Sequence, residues 1–155
     1  MSKKPLYNWI IDALCLAAIA AVFVMIILRW PMLPDRIPTH FDLNGNVNGY
    51  GGKGTLIVLP AVALLMFVPI TILEFYPQVW NTGVKVTARN ADAVYRYLRM
   101  MMVSIKLLTV LLMCTMAVLF CYSAPVPAWI IPAYVVLMTA AIVLFLIKAS
   151  RAGKR

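Results

Sequence analysis

Four long apolar runs constrain the fold of this chain more than any other feature of its sequence. They cover residues 10–28, 55–76, 104–122 and 128–147, and each is close to the ~20 residues that an α-helix needs to cross a bilayer. Hydrophobic residues make up 64% of the 155 residues and charged residues only 12%, so a soluble domain of this size would leave much apolar surface in water. We therefore expect one all-α membrane domain over residues 1–155, built as a four-transmembrane-helix bundle.

Basic residues are distributed unevenly between the segments that connect these runs. If the amino terminus is inside, the inner segments hold eleven of the 14 Lys and Arg residues, and the outer segments hold only Arg29, Arg36 and Lys53. Because Lys and Arg are enriched in cytoplasmic segments, we expect both termini inside and the loop of residues 29–54 outside. The net charge of +9 then reflects membrane topology, and we predict no direct binding of nucleic acid.

The outer loop, residues 29–54, is the most polar and most sharply punctuated segment of the chain. Prolines fix φ and disfavour helix in the residues before them, and the first half of the loop contains Pro31, Pro34 and Pro38. The second half contains Asn44-Gly45 and Asn48-Gly49, dipeptides that favour tight turns. We expect a stiff, non-helical first half, a second half made of turns, and an ordered loop overall.

His40 is the only histidine of the chain, and Phe41 and Asp42 follow it. Because imidazole changes charge nearest neutral pH, a response of the loop to acidity or to a cationic ligand would involve His40 and Asp42. The alternative is a structural histidine that hydrogen-bonds the backbone of the loop. The loop offers His40 no Ser or Cys as a nucleophile, so we predict that the protein is not an enzyme.

Oxygen ligands occur at alternate positions from Asp42 to Asn46, as at the start of an EF-hand calcium loop. The pattern then fails, because Val47 stands where glycine is needed and Lys53 stands where a bidentate glutamate is needed. Zinc needs three or four ligands, and a weak site on His40 and the loop aspartates is the remaining alternative. We predict no metal and no cofactor.

Two acidic residues lie within the apolar runs, Asp12 in the first and Glu74 near the end of the second. An ionisable residue inside a span is a candidate functional residue by default. Two interpretations stay open for Asp12, a structural pair with Lys106 or Lys4, and a proton or ligand role. Two also stay open for Glu74, a separate interfacial ion pair and a joint site with Asp12 and basic residues.

The inner segment of residues 78–103 carries a second pattern. After Thr87 as the N-cap, apolar residues recur at helical spacing from Ala88, and another face is mainly cationic, with Arg89, Asp92, Arg96 and Arg99. The pattern predicts an amphipathic helix that lies on the inner leaflet, where each Lys or Arg contributes ~1 kcal/mol, before the chain turns into the third span. Lipid contact and docking of a cytoplasmic regulator are the two interpretations of Arg89, Arg96 and Arg99.

The outer loop also resembles a known family. A bacterial family of domains of unknown function, found in SdpI-type immunity proteins, has a signature similar to Leu33-Pro34-Asp35-x-Ile37-Pro38-x-His40-Phe41 followed by Gly45 and Lys53. The inner segment resembles the cytoplasmic segment of small four-span members of that family, in the stretch Asn81-x-x-Val84-Lys85-Val86-Thr87-x-x-Asn90-Ala91-Asp92. The resemblance implies a multi-pass protein of the bacterial cytoplasmic (inner) membrane.

For SdpI-type proteins, the resemblance implies protection against a secreted membrane-active toxin and sequestration of a transcriptional repressor at the inner face. The prolines and Gly45 of the signature are explained by backbone shape. With Asp42 added from the argument on His40, the candidate ligand-binding residues are Asp35, His40, Phe41, Asp42 and Lys53.

The leading hypothesis is a non-enzymatic immunity or sensor protein. Its expected partners are the lipid bilayer, an extracytoplasmic peptide and a cytoplasmic transcriptional regulator. The alternative is a proton-transport, solute-transport or transporter-accessory subunit that uses Asp12, Glu74 and a second helix kinked at Pro60 and Pro69.

Overall fold

The computed structural model describes residues 4–42 and 45–154. Its helices are α1 (Leu6–Arg29), α2 (Thr55–Leu73), α3 (Ala91–Cys121) and α4 (Ile130–Gly153). All four are long and apolar enough to cross a membrane, which confirms the predicted number of candidate spans. Between α1 and α2, strands β1 (Arg36–Phe41) and β2 (Val47–Gly52) pair as an antiparallel hairpin. The expectation of an all-α fold is therefore wrong in the loop.

The buried residues of α1 lie on one narrow stripe. They are spaced alternately four and three residues apart, which places them on one helix face: Asn8, Asp12, Cys15, Ile19, Val22 and Ile26. The buried residues of α2 follow a similar pattern, namely Leu56, Pro60, Ala63 and Phe67. The other faces of both helices expose large apolar side chains, as expected where lipid replaces water.

Helix α3 is the central element of the bundle, and it packs against α1, α2 and α4. In the apolar section of α3, 39% of the residues are buried, against 6% in that of α4. Helix α4 therefore lies at the periphery, packed on α3 and otherwise exposing an apolar surface. Helix α2 continues through Pro60 and Pro69, and the predicted kink there stays a prediction.

The inner segment differs from the sequence prediction. Helix α3 runs without a break from Ala91 to Cys121, so the predicted turn between an amphipathic surface helix and the third span is wrong. The helix also begins at Ala91 with Asn90 at its N-cap position, three residues after the predicted start at Ala88. The segment does not lie on the membrane surface because its apolar face packs on protein: Val94 and Leu98 contact Ala149 and Ala152 of α4.

The other helix ends also differ from the predicted limits. Helix α1 starts at Leu6 and not near residue 10, α2 ends at Leu73 and not at 76, and α4 extends from Ile130 to Gly153 and not over 128–147. Helix limits follow backbone hydrogen bonding, which can continue beyond an apolar run or stop short of its end. Both kinds of boundary are therefore compatible with the same span.

The loop has more regular structure than its composition indicated. A 3₁₀ turn over Trp30–Met32 corrects the prediction of a wholly non-helical first half. Gly45 has a φ of +83° and forms the predicted turn, while Asn44 lies outside the described residues. Asn48-Gly49 is not a turn, because it lies in β2, where Gly49 is paired with His40.

The contacts define two ends of the bundle. At one end, which we call the basic end, α1 and α3 begin and α2 and α4 finish: Trp9 lies 5.9 Å from Phe75 between ring centroids, and Asn90 Nδ2 donates to Gly153 O at 3.2 Å. At the other, the hairpin end, Phe41 of β1 stacks on a ring near the carboxyl end of α3. Both ends of the described chain thus lie at the basic end.

Candidate functional site

A buried cluster of charged side chains connects α1, α2 and α3 near the basic end. Its centre is Lys106 of α3, whose side chain is 0% exposed. The ammonium donates to Asp12 Oδ1, to Glu74 Oε1 at 2.6 Å and to Thr71 Oγ1 at 3.1 Å. Since an ammonium has three N–H groups, each of them has an acceptor.

Lys4 and Asn8 complete the cluster from the amino-terminal side. Lys4 Nζ pairs with Asp12 Oδ2 and lies 3.0 Å from Glu74 Oε2. Asn8 Nδ2 donates to the same Glu74 oxygen at 3.0 Å. The ammonium of Lys4 also lies 4.8 Å from the ring centroids of Trp9 and Phe75, a distance at which cations are attracted to aromatic faces.

The charges of this cluster balance, because two lysines face two carboxylates. An unpaired charge in this position would cost several kcal/mol, whereas a neutral group of four in mutual contact avoids that cost. The cations also lie near the carboxyl end of α2, where the helix dipole favours positive charge. The arrangement can fix the positions of α1, α2 and α3 relative to one another. It can take up or release a proton only if one of its carboxylates or lysines changes its charge.

The structure brings Asp12 and Glu74 together. Asp12 pairs with both Lys4 and Lys106, while its proton or ligand role stays a prediction. Glu74 belongs to a joint site with Asp12 and not to a separate ion pair. Sequence reasoning missed Asn8 and Thr71. A helical signal was present, because Asn8 precedes Asp12 by four residues and Thr71 precedes Glu74 by three.

The hairpin exposes part of the predicted ligand-binding set. Asp35 has a side chain that is 94% exposed, and its Oδ1 lies 3.2 Å from Lys53 Nζ. The same ammonium lies 5.6 Å from the ring centroid of Trp30. His40 is exposed, and its Nδ1 contacts Asn48 Oδ1 across the hairpin. Among the described residues of the loop, the hydrogen-bonded partner of His40 is thus a side chain and not the backbone.

Phe41 and Asp42 have structural contacts in the hairpin. The ring of Phe41 lies 5.4 Å from that of Phe120, with 24° between the planes, so it anchors the hairpin on α3. Asp42 accepts hydrogen bonds from the backbone N–H of Asn46 at 2.8 Å and from its side chain at 3.1 Å. Within residues 4–42 and 45–154, no three His, Cys, Asp or Glu side chains form a group that could hold a metal.

At the basic end, the predicted cationic residues divide into two groups. Arg89 and Arg96 are exposed, whereas Arg99 is only 4% exposed, so the expectation that Arg99 lies on the lipid-facing or regulator-facing surface is wrong. Its guanidinium lies over the ring of Trp80 at 5.8 Å, because the helix turns this position toward the Pro77–Val79 connection. Lys148 and Arg151 of α4 line the same cavity as Arg89 and Arg96, a pairing that the sequence alone does not reveal.

Comparison with known proteins locates a family resemblance in the hairpin region. Residues 17–64 match the model of a domain of unknown function (DUF1648). That segment comprises about the second half of α1, the hairpin and about the first half of α2. The resemblance to a family of domains of unknown function is therefore confirmed for these residues, while the relation to SdpI-type proteins stays a prediction. The charge cluster lies outside the matched residues.

One relative is an uncharacterized protein of Archaeoglobus fulgidus, 32% identical over 74 residues. The similarity covers 43% of this chain and 40% of the relative, so the chain spans about two fifths of the length of that protein. No solved structure matches the chain. The comparisons thus associate the hairpin region with a domain type and assign no activity to it.

Proposed function

We propose that this protein is a non-enzymatic membrane sensor or immunity protein. In this proposal the hairpin end faces outward from a bacterial inner membrane and meets a membrane-active peptide or an envelope ligand. The basic end faces the cytoplasm, where it contacts anionic lipid and anchors a transcriptional regulator. The excess of Lys and Arg at the basic end supports this orientation.

The observation that carries the proposal is the continuity of α3. The hairpin packs near the carboxyl end of this helix through Phe41 and Phe120, and Arg89 and Arg96 lie in and just before its first turns. A helix of 31 residues is ~46 Å long at 1.5 Å per residue. Because a packed helix moves as a stiff element, displacement of the hairpin by a ligand would reach the basic end.

The chemistry of the hairpin surface supports a peptide as the ligand. Tyr50 and Val47 of β2 are exposed apolar residues, and the exposed carboxylate of Asp35 and imidazole of His40 lie in or beside β1 of the same hairpin. Apolar side chains beside ionisable ones complement an amphipathic peptide. The hairpin also offers the backbone edge of a two-stranded sheet, which an extended peptide can join.

The test measures membrane potential in cells that produce the wild type, His40→Ala or Asn48→Ala at matched levels during challenge with depolarising peptides. Asn48→Ala is the control, because it removes the same hydrogen bond while keeping the imidazole. We expect the wild type and Asn48→Ala to hold the potential and His40→Ala to lose it. Equal loss in both variants would make His40 structural, and a wild type no better than cells without the protein would refute the immunity role.

The buried charge cluster favours a second candidate, a proton-transport or transporter-accessory role. Asp12 lies in one candidate span and Glu74 directly follows another, and two lysines pair with them, an arrangement found along proton pathways. The measurement is proton flux into liposomes that contain the wild type or Asp12→Asn. Flux that depends on Asp12 would favour proton transport, and equal flux with and without protein would exclude proton transport.

A further inference from the structure

The basic end contains a junction between α3 and α4 that is held rigidly. Asn90 is buried, and its Nδ2 donates to Lys85 O and to Gly153 O, each at 3.2 Å. Its Oδ1 accepts from the N–H of Thr87 at 2.8 Å. Gly153 packs so closely that an added Cβ would lie 2.7 Å from a side-chain carbon of Val84. The hydrogen bonds of Asn90 and the close packing of Gly153 therefore hold the backbone that positions the side chains around this junction.

A cavity of about 500 Å³ lies at this junction. Its wall carries four cationic residues, two from the start of the α3 region and two from the end of α4, namely Arg89, Arg96, Lys148 and Arg151. The ring of Tyr97 lies 5.2 Å from the guanidinium of Arg96 and 5.9 Å from the ammonium of Lys148. The ring of Tyr97 thus lies close to cations from both helices beside the cavity.

These four charges have no acidic partner in the described part of the chain. The ion pairs found among residues 4–42 and 45–154 use Lys4, Lys53 and Lys106. Asp92 follows Arg89 closely and lines a neighbouring groove together with Arg89 and Arg96, but it does not line the cavity. Four cations around one cavity repel each other, and a bound anion would convert that repulsion into attraction.

The dipole of α3 also favours an anionic ligand at this place. The helix begins at Ala91, beside the cavity, and the start of a helix is the positive end of its dipole. The N–H of Ala91 itself donates to Thr87 O at 3.0 Å. The side chains of the four cationic residues are therefore the donors of the candidate site.

We propose that this cavity binds a phosphate group, supplied by the headgroup of an anionic phospholipid or by a phosphate-bearing solute. Guanidinium groups match the oxygens of phosphate through paired N–H donors, and a basic cavity at the end of a helix bundle lies where headgroups are found. The site would fix the junction of α3 and α4 at the membrane border. This inference stands independently of the proposed role of the hairpin.

The competing explanation is that these residues only set membrane orientation and add diffuse positive charge. Lys85 discriminates between the two, because it is an exposed lysine of the same segment that does not line the cavity. Diffuse attraction would weaken equally when any one of these charges is removed. A defined site would respond to Arg96 and Arg151 far more than to Lys85.

The test uses the purified full chain as wild type, Arg96→Gln, Arg151→Gln and the control Lys85→Gln. In one arm, native mass spectrometry counts phosphatidylglycerol bound to the chain from phosphatidylcholine nanodiscs doped with that lipid. In the other arm, the shift of the thermal unfolding midpoint in neutral detergent is followed against inorganic phosphate and pyrophosphate. Circular dichroism verifies the helical content of each variant.

We expect saturable binding of one phosphate group by the wild type in at least one arm. Each arginine variant should bind about tenfold more weakly, which corresponds to about 1.4 kcal/mol, and Lys85→Gln should stay within about twofold. Saturation by lipid alone identifies a headgroup site, and saturation by phosphate or pyrophosphate in detergent identifies a site for a solute. Equal weakening in Lys85→Gln, or no saturable binding in either arm, overturns the proposal.

Discussion

Substitution of Lys106 tests whether the buried cluster stabilises the fold through charge balance. Lys106→Met removes the ammonium and keeps a side chain of similar length, so the space near Phe67 stays largely filled. Asp12 and Glu74 would then face Lys4 alone. Because removal of one partner leaves an uncompensated buried charge, the expected loss in the free energy of unfolding is about 3–5 kcal/mol.

Combining Lys106→Met with Glu74→Gln separates the effect of charge balance from the effect of lost contacts. In the wild type two lysines balance two carboxylates, whereas Lys106→Met leaves one lysine for two carboxylates. Adding Glu74→Gln restores the balance of one to one with Lys4 and Asp12. If charge balance dominates, the double variant is more stable than Lys106→Met by about 2 kcal/mol, although it has lost more contacts.

The assay is equilibrium unfolding of the purified full chain in mixed micelles, titrated with a denaturing detergent and followed by circular dichroism. Lys85→Met is the matched control, because Lys85 is exposed and surface changes usually stay within about 0.5 kcal/mol. A loss for Lys106→Met as small as that of the control would refute the reasoning. So would a double variant whose loss equals the sum of the two single losses, because additivity indicates independent contacts.

Three other substitutions test the elements that hold the site. Phe41→Ala should lower the free energy of unfolding by about 2 kcal/mol through loss of the stack on Phe120, and an unchanged thermal midpoint would contradict the anchoring role. Gly45→Ala should lower the free energy of unfolding by about 1–2 kcal/mol, because φ at this position is +83° and the new Cβ would lie 2.7 Å from Val126 O. Amide exchange in the hairpin should become faster, and exchange as slow as in the wild type would contradict this prediction. Asn90→Ala should cost about 1–3 kcal/mol by leaving buried backbone groups unpaired, measured by thermal unfolding and by faster proteolysis near the end of α4.

The hairpin illustrates why local composition is an uncertain guide to strands. Pro38 in β1 and the glycines of β2, Gly49, Gly51 and Gly52, are typical of turns. The strands form because pairing satisfies their backbone groups and because Ile37, fully buried, and Phe41 pack on the bundle. Gly49 has a steric role, since a Cβ there would lie 2.9 Å from the Cβ of His40.

Helix α3 illustrates a different limit. Its helical periodicity from Val94 onward was visible in the sequence, but an apolar face is equally compatible with lipid and with another helix. In the structure this face contacts Ala149 and Ala152, which lie near the other end of the chain, so it faces a helix and not lipid. For the same reason Arg96 and Arg151 could not be assigned to one cavity from their positions in the sequence.

The sequence by itself determined the number of candidate spans, the polar loop between the first two and the excess of basic residues at one end. These properties are local, because apolar length and backbone hydrogen bonding operate along one segment at a time. Only the tertiary structure decided that Asp12, Glu74 and Lys106 share one buried cluster. Such a cluster depends on the rotation and depth of three helices relative to one another, which follow from side-chain packing between segments distant in the chain.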